Sequence, residues 1–99
     1  MSRHPGELPI PLPAASDLGA LELARVWLSG DSTQIALLPE LWDDPATWGI
    51  VLVDLAKLIA EAYNESGQME TAAGLDLIRR IFDAEWNNPT DFARGGFVE

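Results

Sequence analysis

Three stretches of the sequence predict an α+β fold. Two apolar runs flank Ser29-Gly30-Asp31-Ser32, a long amphipathic segment runs from Ala46 to Glu65, and a second one ends at Asn87-Asn88-Pro89. The expected architecture is an N-terminal extended arm and a two-stranded antiparallel β-hairpin packed on an antiparallel pair of α-helices. The sheet is left open to extension across a homodimer.

With 99 residues the chain is long enough for one core and too short for two. Its 47% hydrophobic and 22% charged content argues against disorder along the whole length. The reading divides it into an extended Pro-rich arm (1–16), a single α+β domain (17–89) and a loosely ordered tail (90–99). In the arm, prolines at positions 5, 9, 11 and 13 cannot donate ladder hydrogen bonds and bias the preceding residues toward extended geometry. Leu8, Ile10 and Leu12 alternate with them, so one side of the arm suits an apolar groove on its own subunit or on a neighbour.

Asp17 to Ala20 reads as a turn, followed by strands at Leu21 to Leu28 and Thr33 to Leu38, the second stopped by Pro39. If Gly30 takes the positive-φ position of a type II′ turn, Val26 faces Ile35, Ala24 faces Leu37 and Leu28 faces Thr33. That side is expected to meet the helices. The other side holds Leu23, Arg25, Trp27 and Leu38, too apolar to be simply solvated. A lone hairpin is marginal in water and leaves edges unpaired. These four residues are therefore the candidate interface with a second copy.

The segment from Ala46 to Glu65 is the hub. Asp54, Lys57, Glu61, Asn64 and Glu65 fall in an arc of roughly 100° on a helical wheel, so most of its circumference needs covering. Trp48, Leu52, Leu55, Ile59 and Tyr63 line the apolar centre, and Gly49, Val53, Ala56 and Ala60 form a small-residue flank for close helix approach. Asp44 is the expected N-cap, Pro45 the first helical residue, and Ser66-Gly67 the stop. A short link leads to the second helix, from about Gln68 or Thr71 to Trp86, whose polar stripe is Asp76, Arg79, Arg80, Asp83 and Asn87. Leu75, Ile78, Ile81, Phe82 and Trp86 belong to its apolar side. A short link makes the helices antiparallel neighbours.

The chemistry-bearing residues are few. His4, the one imidazole, lies in the arm, so no Ser-His-Asp arrangement assembles in the domain. Cysteine is absent, which removes thiolates and disulfides and fits a cytoplasmic address. No P-loop precedes Lys57, the one lysine. Asp43 and Asp44 lack the further carboxylates of a hard-cation site. A net charge of −10 opposes nucleic acid and anionic membranes, and no apolar run is long enough to span a bilayer. No catalytic, cofactor-binding or metal residues are assigned, and the reading leans away from an enzyme. Glu85 stands apart as the one ionisable residue inside the apolar side of its helix. Antiparallel counting brings it to the hub's first turns, making Trp42, Asp43, Asp44, Trp48, Glu85 and Trp86 a candidate cluster. Its structural role is a tie between helices, and its functional one a carboxylate poised for proton transfer.

The runs Glu7-Leu8-Pro9-Ile10-Pro11, Ala24-Arg25-Val26-Trp27, Trp42-Asp43-Asp44-Pro45 with Trp48-Gly49, and Asp83-Ala84-Glu85-Trp86 with Pro89-Thr90 carry a likeness. Through them the chain resembles a small bacterial family of uncharacterised proteins, domain of unknown function 5076. The resemblance implies a short cytoplasmic bacterial protein and brings no activity or catalytic residues. The leading expectation is a non-enzymatic homodimeric interaction module. The alternatives are an acidic inhibitor or immunity-type protein masking a basic partner, and a small-ligand carrier or enzyme using the tryptophan-lined region.

Overall fold

The computed structural model describes residues 4–89, and the expected C-terminal tail lies outside them. Five elements follow in order: α1 (Leu12–Ala15), β1 (Ala24–Ser29), β2 (Ser32–Leu37), α2 (Thr47–Glu65) and α3 (Thr71–Asn87). The fold is α+β, with a two-stranded antiparallel sheet and a pair of helices.

The arm is not extended throughout. Leu12–Ala15 closes one helical turn, with Ala15 N–H bonding Pro11 O at 2.9 Å and Ser16 N–H bonding Leu12 O at 3.1 Å. Pro13 sits where a helix needs no donor, and two alanines follow, so the local preference for helix wins over the extended bias of the prolines before it.

The hairpin has the expected register. Ala24 pairs with Leu37, Val26 with Ile35 and Leu28 with Thr33. Gly30 holds φ at 62° while Asp31 keeps an ordinary φ, as a type II′ turn requires. β1 starts at Ala24 and not at Leu21. The Leu38 N–H to Leu23 O bond, 3.0 Å, is the last rung, because the next residue of the opposite strand is Pro39, which has no N–H to give.

α2 begins later than Asp44. Its N-cap is Ala46, and the residues before it form a tight turn in which Asp44 O accepts from Thr47 N–H (3.1 Å) and Pro45 O from Trp48 N–H (3.0 Å). Asp44 still stabilises this lead-in, since its Oδ1 accepts the Ala46 N–H at 2.9 Å. The stop at Ser66-Gly67 is a Schellman motif. Gln68 N–H reaches Tyr63 O and Gly67 N–H reaches Asn64 O, both at 3.0 Å, with Gly67 at φ 81°. Among the described residues nothing stands within 4 Å of a Cβ placed on Gly67, so Gly67→Ala tests the backbone alone. The left-handed conformation should cost about 1–2 kcal/mol, read as a lower denaturation midpoint with unchanged slope.

α2 and α3 are in contact, and they meet at small residues. Ala60 is fully buried, and a Cβ on the buried Gly74 would lie 3.4 Å from the Ala60 Cβ. Of the small flank, Ala56 is half-buried, whereas Gly49 and Val53 are exposed. On α3 the stripe is paired along the helix, Arg79 with Asp83 at 3.0 Å and Arg80 with Asp76 at 3.2 Å. Such exposed pairs contribute little.

The expected seating of the hairpin on the helices is not made within the chain. No Cα of β1 or β2 lies within 8 Å of one in α2 or α3. The intervening segment accounts for this, because its conformation is fixed at several points. Pro39 restrains its start, Glu40 takes φ 57° (the one non-glycine residue with positive φ among those described), and the Asp44 turn and Pro45 hold its end. The β-hairpin and the helix pair thus make no such approach to each other.

Candidate interaction surfaces

Strand alternation gives the β-hairpin two faces, and they are unequally covered. The face of Arg25 and Trp27 lies under the chain's own arm. Glu7 is paired with Arg25 Nη1, its side chain only 17% exposed, and the same guanidinium reaches Glu22 at 3.0 Å through Nη2. The hydrogen bonds and charge of Glu22, with a further contribution from Glu7, raise the already high pKa of Arg25, so this cation is permanent. His4 stands edge-on to the Trp27 ring, centroids 4.9 Å apart, and its Nδ1 accepts the Gly6 N–H at 2.8 Å. Arg25 Cζ lies 6.0 Å from the same ring. Arm and strand together enclose an open groove of about 640 Å³, lined by Leu8, Ile10, Ala14, Leu21 and Trp27 among others.

Of the candidate interface residues, Arg25 and Trp27 are therefore partly occupied by the arm, while Leu23 and Leu38 are half-buried at the far end of the hairpin. Sequence reading missed Glu7 as the arm's anchor. The signal was present, since Glu7 is the one carboxylate among residues 1–16 and Arg25 stands next but one to Trp27 on the same strand face.

The opposite face, Ala24, Val26 and Leu28 of β1, is bare, with Val26 63% and Leu28 79% exposed. So is the apolar side of the helices. Leu52, Leu55, Ile59 and Tyr63 follow one another at helical spacing along α2, each 40–50% exposed. Ile81, Phe82 and Trp86 of α3 add to this surface. Only Leu75 and Ile78 of the expected buried side of α3 are half-covered. The sequence marked these positions as core, but the chain by itself does not cover them.

The six-residue cluster divides in two. Trp42 and Trp48 meet edge to face, centroids 5.3 Å apart, and tie the lead-in to the first turn of α2. Trp86 stacks on Phe82 at 5.6 Å, and no ring contact joins it to the first pair. Asp43 is exposed, Asp44 serves the turn, and Glu85 is half-buried on α3. Among the described residues no group of three or more His, Cys, Asp or Glu is placed to hold a metal ion. None of their helices is long and apolar enough to cross a membrane.

Residues 7–90 match the family described as Domain of unknown function (DUF5076). The chain belongs to that family. The match begins at Glu7 and takes in both hairpins, so the arm's anchor lies within the family's domain. A solved structure from the photosynthetic bacterium Rhodopseudomonas palustrus CGA009, named as that of a "putative pyruvate dehydrogenase", is similar over 99% of this chain and 100% of its own, with 28% identity and a TM-score of 0.76. A comparison with curated proteins finds no match.

Proposed function

We propose that this protein is a homodimeric interaction module and not an enzyme, in which a second copy covers the apolar surface that one copy leaves bare. The observation that carries this reading is the near absence of a core: among the described residues Ala60 is the single buried hydrophobic side chain. Beyond it, Val26 and Leu28 of β1, Leu52 and Leu55 of α2, and Ile81 and Trp86 of α3 each stay at least 50% exposed. Apolar surface spread over both hairpins in this way suits an obligate dimer, whose interfaces run from about 2,000 Å² upward in total. The family's domain of unknown function and the name of the similar structure assign no chemistry to the residues described above.

Light scattering across a dilution series tests the proposal. The expected mass is twice 10.8 kDa, and the thermal midpoint should rise with protein concentration, since dissociation and unfolding are linked. A concentration-independent monomer would sink it. The sign of the salt effect separates this reading from that of an acidic inhibitor on a basic partner. Two chains of charge −10 repel each other, so added salt should tighten the dimer, whereas it would weaken a complex between opposite charges.

A further inference from the structure

The geometry points to an exchanged dimer, in which the bare face of each β-hairpin packs on the helix pair of the other copy. This rests on the dimer reading and specifies which surfaces meet.

The first ground is sidedness. A two-stranded sheet with one apolar face bare and the other under its arm lacks one layer, and helices are the layer that completes an α+β unit. The chain contains such a layer, with Leu52, Leu55, Ile59 and Tyr63 also bare. Yet the two do not meet in one chain. The second ground is the connection between them. Pro39, Glu40 at φ 57°, the Asp44 turn and the Trp42 ring against Trp48 keep it from folding back. An element held away from the layer that would cover it, on a connection fixed in that conformation, is the arrangement from which identical elements are exchanged between protomers.

The third ground is symmetry. In a two-fold dimer, if hairpin meets helices once it does so twice, so a single docking mode covers all four bare surfaces. A dimer made by helices alone would leave Val26 and Leu28 in water in both copies. The strands need not be extended edge to edge for this. Face packing between copies, and not the edge pairing or the Trp27 side expected from sequence, is the principal contact.

The absence of cysteine makes the test clean. Single variants Val26→Cys and Leu28→Cys on the hairpin, and Leu55→Cys and Ile59→Cys on α2, are each checked for dimer mass by light scattering. Each hairpin variant is then mixed with each helix variant, unfolded, refolded together and treated with a short bis-maleimide. Exchange predicts a covalent dimer from at least one hairpin-plus-helix mixture, and much less from any variant alone. Cross-linking of a helix variant only to itself, with none in the four mixtures, would overturn exchange while leaving a dimer. So would a cross-link within one chain in a double variant that carries Val26→Cys and Ile59→Cys together, which would place the hairpin on its own helices. Monomeric mass for the unmodified chain would instead remove the dimer reading itself, so the two failures are told apart.

Discussion

Ile59→Asp is expected to abolish the dimer proposed above. Ile59 sits mid-helix in the apolar row of α2 and is 40% exposed in one copy. Fully withdrawing a side chain of this size from water contributes roughly 1.5–3 kcal/mol, so covering the 40% still exposed is worth about 0.6–1.2 kcal/mol, which a two-fold axis counts twice. The variant loses that and also places a carboxylate where water is excluded. The dissociation constant should rise by roughly 10²- to 10⁴-fold or more. Sedimentation at micromolar concentration would read this as a shift to half the mass. Lys57→Asp makes the control, because it changes charge on the polar arc of the same helix and should leave the mass unaltered. If Ile59→Asp sediments like the parent, the apolar row of α2 is not an interface.

Ala60→Leu is expected to destabilise the chain at the one fully buried side chain among the described residues. A Cβ on Gly74 would already be in ordinary contact with Ala60, at 3.4 Å, so three further carbon atoms have no room unless the helices separate. Overpacking of this kind costs about 1–3 kcal/mol, and the remaining packing of α2 against α3 moves with it. Gly74→Ala behaves differently. Its added Cβ meets Ala60 and the Met69 Sδ (3.6 Å) without clash, and alanine gains up to about 1 kcal/mol of helix propensity over glycine. Denaturant melts of the two variants should therefore move in opposite directions or, for Gly74→Ala, not at all. A parent-like melt for Ala60→Leu would refute the close approach.

The elements were legible where local chemistry decides them. The register of the β-hairpin followed from one glycine and the alternation around it, and the end of α2 from Ser66-Gly67. The one-turn α1 was hidden by the prolines, which speak for extended chain until the sequence Pro13-Ala14-Ala15 reverses the local balance. The start of α2 moved from Asp44 to Ala46 because an aspartate two residues before an amide makes an Asx turn as readily as a cap. Apolar periodicity identified Leu52, Leu55 and Ile59 as residues needing cover, but periodicity carries no information on what supplies it. In the same way the strand alone does not announce that Glu7, 18 positions before Arg25, seats the arm on the face of Arg25 and Trp27.

The separation of the two hairpins has a consequence for how the molecule forms. The elements in contact, β1 with β2 and α2 with α3, are neighbours along the sequence. Loops this short close quickly, and a β-hairpin or a helix forms within roughly 10 μs. Within one chain, nothing slow joins the α and β halves. In the exchanged dimer the joining contacts all belong to the encounter of two chains, so the last step is second order and its rate is set by concentration. Freshly synthesised copies would then pass through a stage with their apolar faces uncovered, longest when few are present. Their net charge of −10 acts during that interval, keeping incomplete copies from associating indiscriminately until two meet face to face.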